Sequence, residues 1–282
     1  MAHLFHGCSS LTTINFSNFN TKSSEYMDYM FTRCSSLTSL NLSMFDTSKV
    51  IHIHHMFYKC SLLNSLDLSN FHTNSSEFMG FMFGECTSLT SLDLSSFNTQ
   101  KVKDMGYLFD NCHSLTSLNL SNFNTQSCVN FTGMFFNCIN LNILDVSKFN
   151  TTSAIKIAGM FYKCQSLTSL DLSNFNTDKV EYMGSMFYEC KNLSFLDLSK
   201  FNTKSVRTMY RMFYGCQSLT SLDLSNFNTH KVEYMDYMFY GCTKLIFLNL
   251  NNFDTSLIID MNFMLYDCPK LKYINKSNYL HE

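Results

Sequence analysis

Apolar residues between Leu37 and Cys60 fall at Leu37, Leu40, Leu42, Phe45, Val50, Ile53, Met56, Phe57 and Cys60, and this spacing returns every 26 residues. Cysteines at 8, 34, 60, 86, 112, 138, 164, 190, 216, 242 and 268 mark the period without insertion or deletion. A fixed period of this size is the signature of a solenoid, in which each unit buries its apolar face by stacking on its neighbours.

Two elements are predicted within the unit. Leu40 and Leu42 alternate with Ser39, Asn41 and Ser43, and the alternation returns as Leu92/Leu94, Leu170/Leu172 and Leu222/Leu224. Period two with one apolar side predicts a short strand. Phe45 follows and fills the bend. An Asn/Asp-Thr pair then recurs, as in Asp46-Thr47 and Asn98-Thr99, a pairing suited to the start of a helix. Val50, Ile53, Met56, Phe57 and Cys60 fall within an arc of about 120° at roughly 100° per residue, which predicts a short helix or 3₁₀ segment. Its flank is often small (Gly80, Gly106, Ala158, Gly184), which would let adjacent helices approach. The expected fold is therefore an α/β repeat solenoid, with one short parallel strand and one short helix per unit.

The unbroken register predicts a single solenoid over residues 1–282: a partial unit 1–10, ten units over 11–270, and a tail at 271–282. Lys276 stands where Leu224 and Leu250 stood, so the core ladder is expected to stop near Ile274, with the tail as a polar cap. Met1 offers no comparable cap, and that apolar end is expected to be covered by further sequence, a partner or another copy. Net charge is −2 with 15% charged residues, leaving no basic footprint for nucleic acid. No apolar run approaches the ~18 residues of a membrane span, and the first residues lack the pattern of a signal peptide.

Eleven of the twelve cysteines form one rung per coil, and Cys128 takes the slot held elsewhere by Val50, Val102, Val180, Val206 and Val232. A position that accepts Val or Cys is a buried apolar slot. In-register side chains point the same way, which makes a disulfide dihedral awkward; a reduced, buried ladder is expected. No CxxC pair suggests zinc.

The wording M-F-Y-x-C-x-S-L-T-S-L-D-L-S-N-F-N-T-x-K-V-x-x-M, at Met160–Met183 and Met212–Met235, resembles the 26-residue leucine-rich repeat of the BspA-like group of bacterial surface proteins. Departures touch single coils: Ser24 and Ser76 replace the Val, Phe131 a Met, and Leu265 the Phe of the Met-Phe pair. The resemblance implies a right-handed leucine-rich-repeat coil, an extracellular or cell-surface location, a role in adhesion or host contact, and no catalytic residues.

Candidate sites follow from departures in the outward positions. Asp67, Asp93, Asp145, Asp171, Asp197 and Asp223 line the outer strand face. Carboxylates stacked about 5 Å apart repel, which predicts either weak Ca²⁺ binding or a solvated face with some raised pKa values. Tyr26, Tyr29, Phe78, Phe81 and Tyr107 in the first half, and Tyr182, Tyr188, Tyr214, Tyr234, Tyr237 and Tyr240 in the second, make the outer side of the predicted helix aromatic. Such a stripe is either a partner-binding surface or a set of rings stacked on each other. His52 and His55 on one helical face could hold a metal weakly, although solvated histidines are the commoner outcome. No nucleophile elbow, phosphate loop or cofactor motif stands apart from the repeat. The expectation is a non-enzymatic scaffold without cofactors that binds a protein or glycan, with a self-assembling solenoid as the alternative.

Overall fold

The computed structural model describes residues 1–276, which wind into a leucine-rich-repeat-like parallel β-solenoid. Seven short strands are regular enough to name: β1 (Ser39–Asn41), β2 (Ser65–Asp67), β3 (Ser117–Leu118), β4 (Ile143–Leu144), β5 (Ser221–Asp223), β6 (Phe247–Leu250) and β7 (Tyr273–Lys276). They pair in parallel in the register that the period dictates, with Leu40 opposite Leu66 and Leu222 opposite Leu248. The alternating stretches at Leu92/Leu94 and Leu170/Leu172 do not form regular strands, so this face is the looser flank of the coil.

The predicted helix is absent: no helical residue occurs among the described residues. The spacing of three that suggested one is instead the spacing of consecutive turns. Met56 N–H donates to Ile53 C=O, Cys60 N–H to Phe57 C=O, and Leu63 N–H to Cys60 C=O. Each turn brings the next apolar side chain inward, mimicking a helical stripe. Between them every second N–H points along the solenoid axis: Ile53, His55, Phe57 and Lys59 donate to Phe78, Gly80, Met82 and Gly84 of the next coil. His55 and Lys59 hold positive φ angles of 56° and 62°, which no continuing right-handed helix tolerates. A helix this short is marginal alone, whereas parallel stacking satisfies the backbone of the whole run at once.

The recurring Asn/Asp-Thr pair is reused accordingly. Asp46 Oδ1 accepts Ser48 N–H in a local turn rather than capping a helix. The buried threonines run down the interior and bridge coils: Thr151 Oγ1 donates to Asn176 C=O at 2.8 Å and accepts Asn176 N–H at 2.8 Å. One hydroxyl thereby replaces a rung of backbone pairing.

All nine apolar slots of the Leu37–Cys60 unit are buried. A file of phenylalanines, from Phe31 through Phe57, Phe83, Phe109, Phe135, Phe161 and Phe187 to Phe213 and Phe239, stacks with centroids 5.5–5.8 Å apart and planes within 9°. The cysteines are free thiols, buried except at the two ends of the ladder. Each of the 26-spaced ladder thiols from Cys34 to Cys268 donates to a phenylalanine carbonyl of the preceding coil, as Cys60 Sγ does to Phe31 C=O at 3.1 Å, whereas Cys128 Sγ donates to the Asn130 carbonyl. Burial raises their pKa values, Cys34 to about 11 and Cys86 to about 12, so they remain thiols and not thiolates.

At the far end the backbone ladder continues past Ile274: β7 pairs with β6 through Leu250 opposite Lys276. What stops there is burial, since all four residues of β7 are exposed. The expected polar cap beyond Lys276 lies outside the described residues.

Candidate functional site

The tighter backbone ladder lies on the flank where the helix was expected. An unbroken column of parallel bridges joins Tyr26, His52, Phe78, Asp104, Asn130, Lys156, Tyr182, Thr208, Tyr234 and Asp260. Side chains on this flank are held at a fixed repeat by main-chain hydrogen bonds, giving a rigid surface for a binding site.

Three residues along each coil from this column, the outer rings are stacked on each other. His3, Tyr29, His55, Phe81 and Tyr107 form one file, with centroids 4.6–4.7 Å apart and planes within 17°. All five residues have positive φ. At the next two positions of the file stand Gly133 and Gly159, and the rings shift three residues onward. Phe136, Tyr162, Tyr188, Tyr214, Tyr240 and Tyr266 continue at 4.1–5.3 Å. Tyr107 meets Phe136 across the shift at 5.9 Å and 52°. The glycine is required there because a Cβ on Gly133 would lie 2.4 Å from the Tyr107 ring.

A groove of about 510 Å³ opens between the bridge column and the first ring file. Its aromatic side is formed by His52, His54, His55, Phe78, Phe81 and Tyr107, and its polar side by Asp104, Asn130, Thr132 and Lys156. Gly80 and Gly106 form the floor, where side chains would otherwise stand. A Cβ on Gly106 would sit 2.8 Å from Asn130 Nδ2, and one on Gly80 3.1 Å from the Gly106 carbonyl oxygen. Asp104 Oδ1 accepts Gly106 N–H at 2.7 Å and Asn130 Nδ2–H at 3.0 Å, while Asn130 Oδ1 accepts Thr132 N–H at 3.0 Å. The polar side is therefore preorganised by local turns and by a contact between coils.

His54 and His55 are half-buried with Nδ1 atoms that find no partner. Burial lowers both pKa values, His55 to about 4, and keeps these imidazoles neutral at neutral pH. The predicted pairing of His52 with His55 on one helical face is overturned together with the helix. His52 belongs to the bridge column, and His55 is sandwiched between Tyr29 and Phe81 at 4.6 Å from each.

The structure distributes the predicted aromatic residues over three columns. Tyr26, Phe78, Tyr182 and Tyr234 lie in the bridge column. Tyr29, Phe81, Tyr107 and Tyr237 are the positive-φ residues. Tyr188, Tyr214 and Tyr240 belong to the second ring file. Only Phe78, Phe81 and Tyr107 of the set meet in the groove. The polar lining (Asp104, Asn130, Lys156) escaped reading along the chain. Its signal is visible down the column, where Tyr26, His52 and Phe78 give way to three polar residues.

The strand-face aspartates stand in local turns. Oδ1 of Asp67, Asp93, Asp145, Asp171, Asp197 and Asp223 accepts the N–H of the serine two residues on, at 2.9–3.0 Å. The raised pKa values expected from stacking are replaced by lowered ones at Asp67, Asp93, Asp145, Asp171 and Asp197, because the backbone and side chain of that serine stabilise the carboxylate. No His, Cys, Asp and Glu side chains are grouped for a metal ion among the described residues, and no helix there is long and apolar enough to cross a membrane.

No curated protein matches the chain. Among solved structures, it is similar to a leucine-rich repeat protein from Bacteroides ovatus (17% identity, TM-score 0.49), with 86% of this chain and 61% of that chain covered. It thus spans about three-fifths of the length of that relative. It is also similar to a leucine-rich cell surface protein from Faecalibacterium prausnitzii (14% identity, TM-score 0.34), with 86% and 79% covered. A third is an internalin from Listeria monocytogenes (14% identity, TM-score 0.27), with 89% and 76% covered. Three overlapping matches, at residues 1–117, 79–194 and 168–278, run along nearly the whole sequence, and the chain belongs to the family described as Mycoplasma protein of unknown function, DUF285.

Proposed function

We propose that this protein is a non-enzymatic binding scaffold, presented at or outside the cell surface, whose rigid flank engages a protein or glycan in adhesion. The observation that carries this reading is the groove over Gly80 and Gly106. It departs from the repeat where the core beneath does not, and it combines ring edges with polar tips fixed on a hydrogen-bonded ladder. Binding sites characteristically set a few convergent polar groups in a largely apolar concavity of roughly 300–1,000 Å³. An array of equivalent coils offers a surface rather than a unique catalytic constellation.

The test is saturable binding of the fluorescently labelled chain to epithelial cells and to extracellular-matrix-coated surfaces, with sedimentation run in parallel. Gly106→Tyr fills the groove, and its fold has a precedent at Tyr210, whose ring lies over Gly184 in the same columns. Saturable binding that Gly106→Tyr abolishes is the expected result. A monodisperse, folded chain without saturable binding would overturn the scaffold reading. Concentration-dependent polymers would favour the self-assembling alternative instead.

A further inference from the structure

The backbone around the groove has no pairing capacity to spare. Met79 N–H donates to Asp104 C=O, Met105 to Asn130 and Phe131 to Lys156 along the bridge column; Phe81 donates to Gly106, Tyr107 to Thr132 and Gly133 to Ala158 beside it. An extended peptide that binds by strand addition needs a free sheet edge, and this flank has none. Recognition must come from side-chain tips and ring surfaces.

Those side chains have a definite composition. On one side Phe78 packs against His52 at 4.9 Å, with the rings tilted by 33°. On its other side the column continues as Asp104, so no ring covers that side among the described residues. Asp104, Asn130 and Lys156 then follow at successive coils. Asp104 Oδ1 is occupied by Gly106 and Asn130, while Oδ2 has no hydrogen-bond partner among the described residues. Lys156 Nζ lies 6.0 Å from the Tyr182 ring centroid and forms no ion pair among the described residues. The second carboxylate oxygen of Asp104, the second amide N–H of Asn130 and the Lys156 ammonium are left as acceptor and donors beside an aromatic platform. Asp104 and Lys156 are opposite charges in one groove, so the lining favours neither an anion nor a cation.

We propose that this groove binds a neutral hexopyranoside, with an apolar sugar face on Phe78 and hydroxyls hydrogen-bonded to Asp104, Asn130 and Lys156. Sugars present an apolar C–H face and vicinal hydroxyls that both donate and accept, matching a platform bordered by mixed polar tips. This deepens the scaffold reading above and rests on it, naming the class of partner.

The test uses the full chain and saturation-transfer difference NMR with a panel of neutral methyl hexopyranosides (glucose, galactose, mannose and N-acetylglucosamine), followed by titration of any binder. Phe78→Thr and Asp104→Thr are the groove variants, both tolerable because Thr208 stands in the same column. Asp260→Thr is the matched control: Asp260 lies in the same column and accepts Asn262 N–H as Asp104 accepts Gly106 N–H. Binding of at least one glycoside, weakened 10-fold or more by both groove variants and unchanged by Asp260→Thr, is the expected result. Absence of binding across the panel overturns the sugar assignment. So does equal weakening by the control. If cell binding nevertheless persists and is lost in Gly106→Tyr, the scaffold reading stands while the sugar assignment falls; groove binding of an unstructured peptide library would then assign a protein partner.

Discussion

The coils before Gly133 and those after it share one interior and differ in where they carry their outer rings. In the first half the file runs over positive-φ residues, Tyr29, His55, Phe81 and Tyr107; in the second it runs three residues further on, over Tyr162, Tyr188, Tyr214 and Tyr240. Glycine at the same column also has opposite consequences. Gly80 and Gly106 leave a groove open, whereas Gly184 is roofed by the Tyr210 ring of the next coil, against which a Cβ would lie 2.6 Å away. The neighbour decides: Thr132 follows Gly106 and Tyr210 follows Gly184. The interior therefore fixes the coil, and the outer columns vary freely over it.

The largest effect should fall where the halves do not differ. Phe57→Ala and Phe135→Ala remove members of the same inner file, and large-to-small core changes of this kind cost about 3–5 kcal/mol. Urea unfolding should show both variants losing similar stability in one transition. Two separate transitions would mean that the halves are independent and that the comparison concerns domains, not surfaces.

A smaller effect should separate the glycines. Gly133 has a φ of 58° and the Tyr107 ring above it, while Gly106 has an ordinary φ and the flexible Asn130 tip beside it. Gly133→Ala is expected to cost about 1–3 kcal/mol through a strained backbone, with loss of the Tyr107–Phe136 contact visible in near-ultraviolet circular dichroism. Gly106→Ala should fall below this. Equal costs would break the claim that Gly133 is held by the ring crossover.

The smallest effect is the pH dependence that His55 adds in the first half. His55 has a folded pKa near 4 against about 6.5 when unfolded. The unfolded chain binds more protons between these values, so this group's stabilisation is present above pH 6.5 and lost as pH falls toward 4. Asp110, raised to about 6 by burial, works in the opposite direction across roughly pH 4–6, its stabilisation fading as pH rises. The difference in melting temperature between the wild type and His55→Phe isolates the histidine. It should grow on acidification; a flat difference would show that His55 is not buried between Tyr29 and Phe81.

The alternation of Leu40 and Leu42 and the Cys ladder made the parallel register legible, because a strict period leaves one way to stack identical coils. The same period misled at Val50, Ile53, Met56, Phe57 and Cys60. Apolar residues three or four apart serve a helix and a run of turns equally well, and the choice depends on whether N–H groups bond within the segment or to the next coil. The residues before the cysteines (Arg33, Lys59, Glu85, Asn111, with glycine at Gly7, Gly215 and Gly241) carry the positive φ angles. Glycine at only some of them was too faint a turn signal to read.

The sequence by itself determined the repeat length, the nine inward slots and the thiol ladder, since all of these follow from composition at fixed spacing. Only the tertiary structure decided that the coils bond to one another through turns rather than helices, that the rings close into a file, and that Asp104, Asn130 and Lys156 follow Phe78 down one column beside Gly80 and Gly106. Those contacts join residues 26 apart, and their chemistry depends on which side chain happens to stand one coil away, a relation that exists only once the coils are stacked.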